Sequence, residues 1–250
     1  MISVTILTKN SQDTLKDTLE SLRSFPEVIV LDTGSTDTTM DIAQTFPNVR
    51  LFISDFVGFG DTHNIATSHA THDWVLSIDS DEILSEELIK ELHDLKLDLK
   101  CVYSVQRHNY LNGKLIKWCG GWYPDRVVRL YNRKVTRFNT ARVHEKILTD
   151  GLKEIELQGP VLHTPYREIA DFLSKMQMYT SLYAAQEKER KKGSLLQAIF
   201  HGWFAFFKSY VLKKGFLGGR EGYIISAYNG HATFYKYLKL RESTRETIKK

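Results

Sequence analysis

An alternation of short apolar runs with helix-spaced segments over the first 84 residues constrains the fold more than any other feature. Four runs have the composition of buried strands: ISVTILT, EVIVLD, NVRLFIS and WVLSID. The first is followed by apolar residues at Leu15, Leu19 and Leu22, which is helical spacing. Because strands that alternate with helices form parallel sheets covered on both faces, we predict an α/β fold with a mostly parallel mixed sheet.

The pattern changes after about residue 99. The run VYSVQRHNYLNGKLIK predicts a hairpin that turns at Asn112-Gly113. From Glu168 onward the pattern is helical and shows no convincing strand. The predicted organisation is a body over residues 1–166, with halves 1–99 and 100–166, and a C-terminal helical extension over 167–250.

Charge and cysteine content bear on the partners and on the compartment. The chain has a net charge of +4, yet residues 186–250 carry 14 Lys and Arg against 5 Asp and Glu. Such a basic segment attracts phosphate, in nucleic acid or on an anionic membrane. Cys101 and Cys119 are too few for a disulfide framework and lack metal-ligand spacing, and the N-terminus has no secretory pattern. These features predict a cytoplasmic protein.

Polar clusters follow three of the four predicted strands: TKN, DTGSTD and DSDE. Ligands of open α/β sheets bind beyond the carboxyl ends of the strands, so we expect these clusters to form one site. Asp79 and Asp81 are separated by one residue, and in an extended segment both carboxylates point to one face. The repulsion among these acids and Glu82 requires an offset. The alternatives are a divalent cation and a solvated, charged start of the helix that begins near Ser85.

These segments resemble a known family. SVTILTKN, VIVLDTGSTDTT and IDSDE, in this order, resemble the family 2 glycosyltransferases, which are inverting enzymes with the GT-A nucleotide-diphospho-sugar transferase fold. GFGDTHNIA, GGWYPDRVVRLYN, ARVHEKI and GPVLHTPY extend the resemblance to the bacterial lipopolysaccharide inner-core β-glucosyltransferases. The resemblance implies a UDP-sugar donor bound by the 1–99 half, a lipid-linked oligosaccharide acceptor bound by the 100–166 half, and a divalent metal, Mg²⁺ or Mn²⁺.

The resemblance also implies roles for single residues. Asp32 would contact the nucleotide base, Asp81 would bind the metal directly, and His163 would join the metal shell. Without the resemblance, an ordinary hydrogen-bonded histidine is the default interpretation of His163. The implied nucleotide-sugar contacts are Thr8, Asn10, Asp32, Asn64 and Asp79, and the implied metal ligands are Asp81, His163 and Asp79.

Two carboxylates compete for the role of catalytic base. Glu145 in VHEKI matches the family position that commonly supplies the base, and Asp125 in WYPDR is its rival. The alternative for Glu145 is a structural ion pair with a nearby Arg or Lys. The side chains predicted to meet the acceptor or a phosphate are Trp118, Trp122, Tyr123, Arg126 and Arg129. For the aromatic ones, the alternative is a place in the core.

Two positions depart from the family pattern. Thr33 stands where many members have a second acid directly after the one that matches Asp32. Asp32 itself is still available to contact the nucleotide base. His63 stands where relatives often carry Lys or Arg. A strong diphosphate contact at this position would therefore require a protonated His63, or Arg126 or Arg129 in its place.

The segment LLQAIFHGWFAFFKSYVLKK, residues 195–214, is predicted to form an amphipathic helix. Gln197, His201 and Lys208 fall on one stripe, and large apolar residues such as Phe200 and Trp203 fall on the other. A helix of this kind lies on a membrane or packs on a domain. We favour peripheral attachment to anionic lipid at the inner face of the cytoplasmic membrane. The alternative is packing on the catalytic body with a solvated basic face.

Three other functions fit less of the sequence. A metal-dependent nucleotidyltransferase would normally have a glycine- and basic-rich loop after the first strand, and TKNSQDTL has one lysine and no glycine. The intact DSDE, Glu145 and His163 set disfavours a non-catalytic, membrane-surface binding protein that retains the fold. We expect no nucleic-acid partner, because the aromatic residues of the basic segment follow helical spacing and no recognised nucleic-acid motif occurs.

Overall fold

The computed structural model describes residues 1–140, 145–166 and 168–248. It divides into two compact units: Met1–His108 with Asp125–His163, and Asn109–Pro124 with Thr164–Lys250. The segment Asn109–Pro124, predicted to lie in the acceptor-side half of the body, therefore belongs with the helices of the second unit.

The first unit is built on a mixed β-sheet. Its strands are β1 (Ile2–Thr8), β2 (Glu27–Asp32), β3 (Val49–Ile53), β4 (Trp74–Asp79), β5 (Glu82–Leu84), β6 (Cys101–Leu111), β8 (Arg126–Asn132), β9 (Lys153–Glu156) and β10 (Val161–His163). The strand order is β3-β2-β1-β4-β8-β6-β10-β5, with β9 beside β6. β1 to β4 are parallel, whereas β8 runs antiparallel to both β4 and β6. The predicted α/β fold with a mixed sheet is confirmed.

Both faces of this sheet are buried in the first unit. The helices are α1 (Leu15–Ser21), α2 (Thr39–Gln44), α3 (Phe59–Ser68) and α4 (Glu86–Asp94). Val28 and Val30 of β2 face a core that includes Leu15 and Leu19 of α1, and Ile29 between them faces a second core. This burial on two sides explains why β2 is an unbroken apolar run rather than an alternating one.

The second unit is helical apart from one hairpin. The end of β6 pairs with β7 (Lys114–Leu115), and the turn residues Asn112 and Gly113 have φ angles of 51° and 73°. The predicted Asn-Gly turn is therefore confirmed, since a tight hairpin turn of this kind needs positive φ at both positions. The helices are α5 (Ile169–Glu187), α6 (Leu195–Phe207) and α7 (Gly219–Ile248), with a π-helical turn at Lys208–Leu212 and a 3₁₀ turn at Gly215–Gly218.

The core of the second unit explains why Asn109–Pro124 joins the helices. This core combines apolar residues of the hairpin segment with one residue each from α5 and α7, and all are at most 8% exposed. They are Leu111, Ile116, Cys119, Trp122, Phe172 and Ile225. Within the described ranges, no helix is both long enough and apolar enough to span a membrane.

Candidate active site

Within DSDE, Asp81 lies in a different environment from Asp79 and Glu82. β4 ends at Asp79, and Ser80 and Asp81 form a turn before β5 begins. The common face expected for Asp79 and Asp81 does not form, since it requires an extended segment through both residues. The solvated helix-start alternative is not supported either, because Ser85 caps α4, its Oγ accepting a hydrogen bond from the Leu88 N–H at 3.2 Å.

Two arginines offset the charges of Asp79 and Glu82. Nη2 of Arg129 lies 2.6 Å from Oδ2 of Asp79 and 2.5 Å from Oε1 of Glu82. Nη1 of Arg107 lies 3.7 Å and 3.4 Å from the same two carboxylate oxygens. Glu82 is fully buried, and its Oε2 accepts a hydrogen bond from the Asp79 N–H at 3.0 Å. The network therefore also fixes the backbone where the turn begins.

The charged groups of this network shift one another's pKa values. Burial opposes ionisation of Asp79, but Arg129 holds the pKa of that carboxyl well below its usual range. Burial raises the pKa of Glu82, and the charge of Arg129 opposes this only in part. Burial also disfavours the Arg129 cation, yet the two carboxylates raise its pKa, so the guanidinium stays charged. At 7% exposure, Arg129 has a geometry that favours a structural role over the predicted phosphate contact.

Asp81 lies beside His163, as the resemblance implies. β10 is antiparallel to β5 with His163 opposite Glu82, which brings the histidine to the turn that precedes β5. Nε2 of His163 is 3.5 Å from Oδ2 of Asp81, and the two side chains are 12% and 25% exposed. A carboxylate oxygen and an imidazole nitrogen at this separation fit neighbouring positions on one divalent cation.

The described residues contain no group of three or more His, Cys, Asp or Glu arranged to hold a metal ion. Asp79 is thus not grouped with Asp81 and His163, and it is engaged by Arg129 instead. Mg²⁺ commonly uses one or two carboxylates and completes its shell with water and substrate phosphates. A two-residue site fits a metal that is shared with a diphosphate.

Asp32 ends β2 and organises the turn that follows. Its Oδ1 accepts hydrogen bonds from the N–H groups of Gly34 and Ser35, at 2.9 and 2.8 Å. Its Oδ2 accepts from the hydroxyls of Ser35 and Thr8. Burial opposes ionisation, yet these bonds lower the pKa of Asp32. Because an ionised carboxylate has about four acceptor sites, a nucleotide base would reach Asp32 only by replacing one of these donors.

Asn10 joins the turns that follow β1 and β2. Its backbone is left-handed, with φ of 52°, and its N–H donates to Oγ of Ser35 at 2.8 Å. Its side-chain Oδ1 accepts from the Thr36 N–H, also at 2.8 Å. The predicted convergence of Thr8, Asn10 and Asp32 at the strand ends is therefore present, held by hydrogen bonds within the protein.

Asn64 and His63 of α3 both hold Phe138. Nδ2 of Asn64 donates to the Phe138 carbonyl, and Oδ1 accepts from the Phe138 N–H, each at 3.1 Å. The His63 ring stacks on the Phe138 ring, with centroids 4.4 Å apart. Phe138 in turn bridges to Ile147, two residues after Glu145. The structure therefore shows that the Asn64 side chain anchors Phe138, and its contact with the donor stays a prediction.

His63 is neutral at physiological pH. It is 3% exposed, and burial lowers its pKa to about 4. A protonated His63 therefore does not replace the Lys or Arg found in relatives. Arg126, the second substitute considered from the sequence, pairs with Glu156 and has a side chain that is 53% exposed.

We expect His63 to make the protein less stable as the pH falls. Its folded pKa of about 4 lies below the ordinary value of 6.5, so the unfolded chain binds the proton more readily. The stability contribution is complete above pH 6.5 and is lost as the pH falls towards 4. Between pH 6.5 and about pH 5, we expect urea unfolding to show a loss of about 2 kcal/mol that His63→Gln lacks. Equal pH slopes for the two proteins would contradict this.

The two candidate bases differ in how they are held. Asp125 makes two contacts with Arg107, at 2.9 Å from Nε to Oδ2 and 3.2 Å from Nη2 to Oδ1. A carboxylate held by two contacts of this kind has a fixed orientation. Glu145 is partly buried and directly follows residues 141–144, which lie outside the described chain, so ARVHEKI is described only from its glutamate onward. The structure thus shows how Asp125 is held, and the assignment of Glu145 as the base stays a prediction.

The predicted acceptor-side aromatic residues lie in the second unit. Trp122 is 8% exposed and stacks on Tyr166 and Phe172, with centroids 5.6 and 6.4 Å away. Trp118 packs against the same core, whereas Tyr123 is 39% exposed. Trp122 is therefore a core residue, which was the alternative to an acceptor contact. Tyr123 is exposed enough to contact a sugar.

Arg107 is the residue of the site that the sequence did not single out. It lies on β6, where Val105, two residues earlier, is fully buried. Its charge could have identified Arg107 from the sequence, because an arginine within a largely buried strand requires carboxylate partners. Those partners, Glu82 and Asp125, are 25 and 18 residues away in the chain.

The fold, with its polar clusters at the strand ends, defines an α/β glycosyltransferase of the GT-A class. The chain belongs to glycosyl transferase family 2, whose family model matches residues 3–216. The family resemblance stated from the motifs is confirmed, and it favours glycosyl transfer over nucleotidyl transfer.

Individual relatives agree with this assignment, and a solved structure agrees with the fold. An uncharacterised glycosyltransferase of Rickettsia prowazekii is 28% identical over 96% of this chain and 87% of its own length. The lipopolysaccharide core biosynthesis glycosyltransferase LpsC of Rhizobium meliloti is 26% identical over 89% of this chain and 85% of its own. A mannosyltransferase of Pyrobaculum calidifontis, solved with GDP-mannose and Mn²⁺, has a TM-score of 0.50 at 15% identity, covering 99% of this chain and 75% of that one.

Proposed function

We propose that this protein transfers a hexose, glucose by preference, from a UDP-sugar to a lipopolysaccharide core or a related bacterial glycolipid, with inversion at the anomeric carbon. The observation that carries the proposal is the pairing of Asp81 with His163 at the edge where the strand-end turns meet. The likeness to a lipopolysaccharide core glycosyltransferase over most of the chain supports the acceptor class.

The proposed donor site uses the turns after β1, β2 and β4. Asp81 and His163 would hold Mg²⁺ or Mn²⁺, which when bound neutralises charge on the leaving diphosphate. Arg129 and Arg107 compensate Asp79 and Glu82 and so keep the turn in place. The mannosyltransferase structure contains Mn²⁺, which supports the choice of cation.

The proposed base is Glu145. Its carboxylate would take the proton from the acceptor hydroxyl as the oxygen attacks the anomeric carbon from the face opposite the diphosphate. A single in-line displacement of this kind inverts the configuration, so an α-linked donor gives a β-linked product. α3 holds Phe138 through Asn64, and Phe138 bridges to Ile147, two residues after Glu145.

A lipid-linked acceptor places the enzyme at a membrane surface. We therefore locate it in the cytoplasm, peripheral on the inner face of the cytoplasmic membrane. The basic residues of the second unit support this location, because the cytoplasmic leaflet carries anionic lipid.

The test of the function is transfer from a panel of UDP-hexoses to isolated, truncated lipopolysaccharide cores, with the product linkage read by nuclear magnetic resonance. We expect UDP-glucose to be the preferred donor and the new linkage to be β. An α-linked product would overturn inversion. No transfer from any UDP-hexose, by protein that is folded and binds UDP, would overturn the acceptor class.

A further inference from the structure

The helix α6 packs on α7 through small residues and leaves most of its large apolar side chains exposed. Ala198 and Gly202 are buried, and a Cβ added to Gly202 would lie 2.9 Å from Cβ of Phe234 and 3.1 Å from the carbonyl oxygen of Gly230, both on α7. Glycines at this crossing let the two helices approach closely. The stripe of α6 that faces α7 is therefore not the apolar stripe seen in the sequence.

The opposite side of α6 carries large apolar side chains at unusually high exposure. Leu196 is 79% exposed, Phe200 62%, Trp203 61% and Ile199 51%. The turns that follow α6 in the chain add Leu212, which is 57% exposed, and three more residues that are 42–53% exposed: Val211, Phe216 and Leu217. Soluble proteins rarely expose contiguous apolar patches of this kind unless the patch binds something. We call these eight residues the α6 face.

An apolar groove adjoins the α6 face. It lies between α6 and α7, has a volume of about 400 Å³, and is lined by Ile199, Trp203, Phe206 and Phe234 among others. Ile199 and Trp203 belong both to the groove and to the α6 face. The apolar surface is therefore concave on one side, and an alkyl chain or an apolar side chain can enter it.

The charges around the α6 face have one sign. Residues 190–220 contain seven Lys and Arg and no Asp or Glu. Lys208, Lys213 and Lys214 follow the helix and are exposed. Glu221, the next acid, is held by Lys114 at 3.5 Å. Exposed aromatic residues flanked by lysines without acids match the interface of an anionic bilayer, where apolar side chains enter the acyl boundary and cations meet phosphates.

We propose that the α6 face docks on bilayers that contain anionic phospholipid, with α6 lying in the plane of the headgroups. The thirteen residues of α6 extend about 20 Å, which is shorter than the roughly 30 Å hydrocarbon core, so the helix suits this orientation. This inference deepens the proposed membrane location and does not depend on the transferred sugar.

The experiment is flotation of the full chain with vesicles of phosphatidylcholine alone and with phosphatidylglycerol added. We expect binding to the anionic vesicles only, and we expect added salt to weaken it. Phe200→Ser with Trp203→Ser should reduce binding about 10- to 100-fold. Lys213→Gln with Lys214→Gln, which leaves the apolar residues intact, should reduce it about tenfold or more.

Matched control variants test the position of the surface. Ile53 and Leu99 of the first unit are 72% and 58% exposed, so Ile53→Ser with Leu99→Ser removes comparable apolar exposure elsewhere. Lys90→Gln with Lys96→Gln removes two other exposed lysines. Both control pairs should bind vesicles as the wild type does.

Three results would overturn the inference. The first is absence of binding to anionic vesicles at low salt, and the second is equal loss of binding in the control pairs. The third is a dimer in sedimentation analysis that Phe200→Ser with Trp203→Ser dissociates, because a second copy would then cover the α6 face. The vesicle assay uses no donor or acceptor, so its failure would leave the transfer reaction standing.

Discussion

Glu145→Gln should lower the turnover number by about 10²- to 10⁴-fold while UDP binding stays within a few-fold of the wild type. Glutamine keeps the shape of the side chain and its hydrogen-bonding reach, but it cannot accept the proton of the acceptor hydroxyl. The loss should appear in kcat rather than in the donor KM, because a general base acts in the transition state. Steady-state transfer assays with the preferred UDP-hexose measure both constants.

Two variants make this prediction specific. Glu154→Gln changes an exposed glutamate of β9 in the same unit and should leave kcat unchanged. Asp125→Asn tests the rival base, which Arg107 already holds at 2.9 Å. Near-normal turnover of Glu145→Gln, together with a large loss in Asp125→Asn, would transfer the role to Asp125.

Arg129→Met should destabilise the fold by about 3–5 kcal/mol at neutral pH. Arg129 is 7% exposed and is the nearest cation to both Asp79 and Glu82, so its removal leaves two buried or half-buried carboxylates short of compensation. Arg107, at 3.4 Å from Glu82, can offset only part of the loss. Urea unfolding measured on the wild type and the variant gives the difference directly.

Arg126→Met is the matched control for this effect. Arg126 lies on the same strand and pairs with Glu156, but its side chain is 53% exposed, and exposed pairs contribute about 0–1 kcal/mol. A double variant, Arg129→Met with Glu82→Leu, should recover part of the loss because it also removes the uncompensated acid. Arg129 would not be the central cation of the network if Arg129→Met cost no more than Arg126→Met.

Local patterns predicted the elements of this fold well. The apolar run of β2 reads as a strand buried on two sides, and Asn112-Gly113 reads as a tight hairpin turn. Each of these signals lies within a few residues of sequence. Strands and tight turns are predictable at this range because local composition and backbone preference determine them. The clusters after β1 and β2 were also predictable, because parallel neighbouring strands end at the same edge of a sheet.

The interior of the site was not predictable in the same way. Arg129 meets Asp79 from 50 residues away, and the contact depends on the antiparallel register of β8 on β4. A single sequence does not fix such a register. The turn at Ser80 likewise separates two acids that an extended chain would place together.

The sequence alone also did not predict which side of helix α6 is buried. Its apolar stripe was evident from the sequence, but a stripe alone does not say whether it packs or stays exposed. Gly202 decides this, because its lack of a side chain lets α7 pack closely on the side of α6 opposite the apolar stripe.

The measurement that tests the proposed active site most directly is calorimetric titration of UDP, with and without Mn²⁺, into the wild type and Asp81→Ala. It needs no acceptor, and parallel titration of GDP tests the choice of nucleotide. Asp94→Ala, at an exposed aspartate in α4, is the control. We predict UDP binding that depends on Mn²⁺ in the wild type and in Asp94→Ala and is lost in Asp81→Ala. Failure of the wild type to bind UDP under any metal condition, or unchanged binding by Asp81→Ala, would contradict the proposed site.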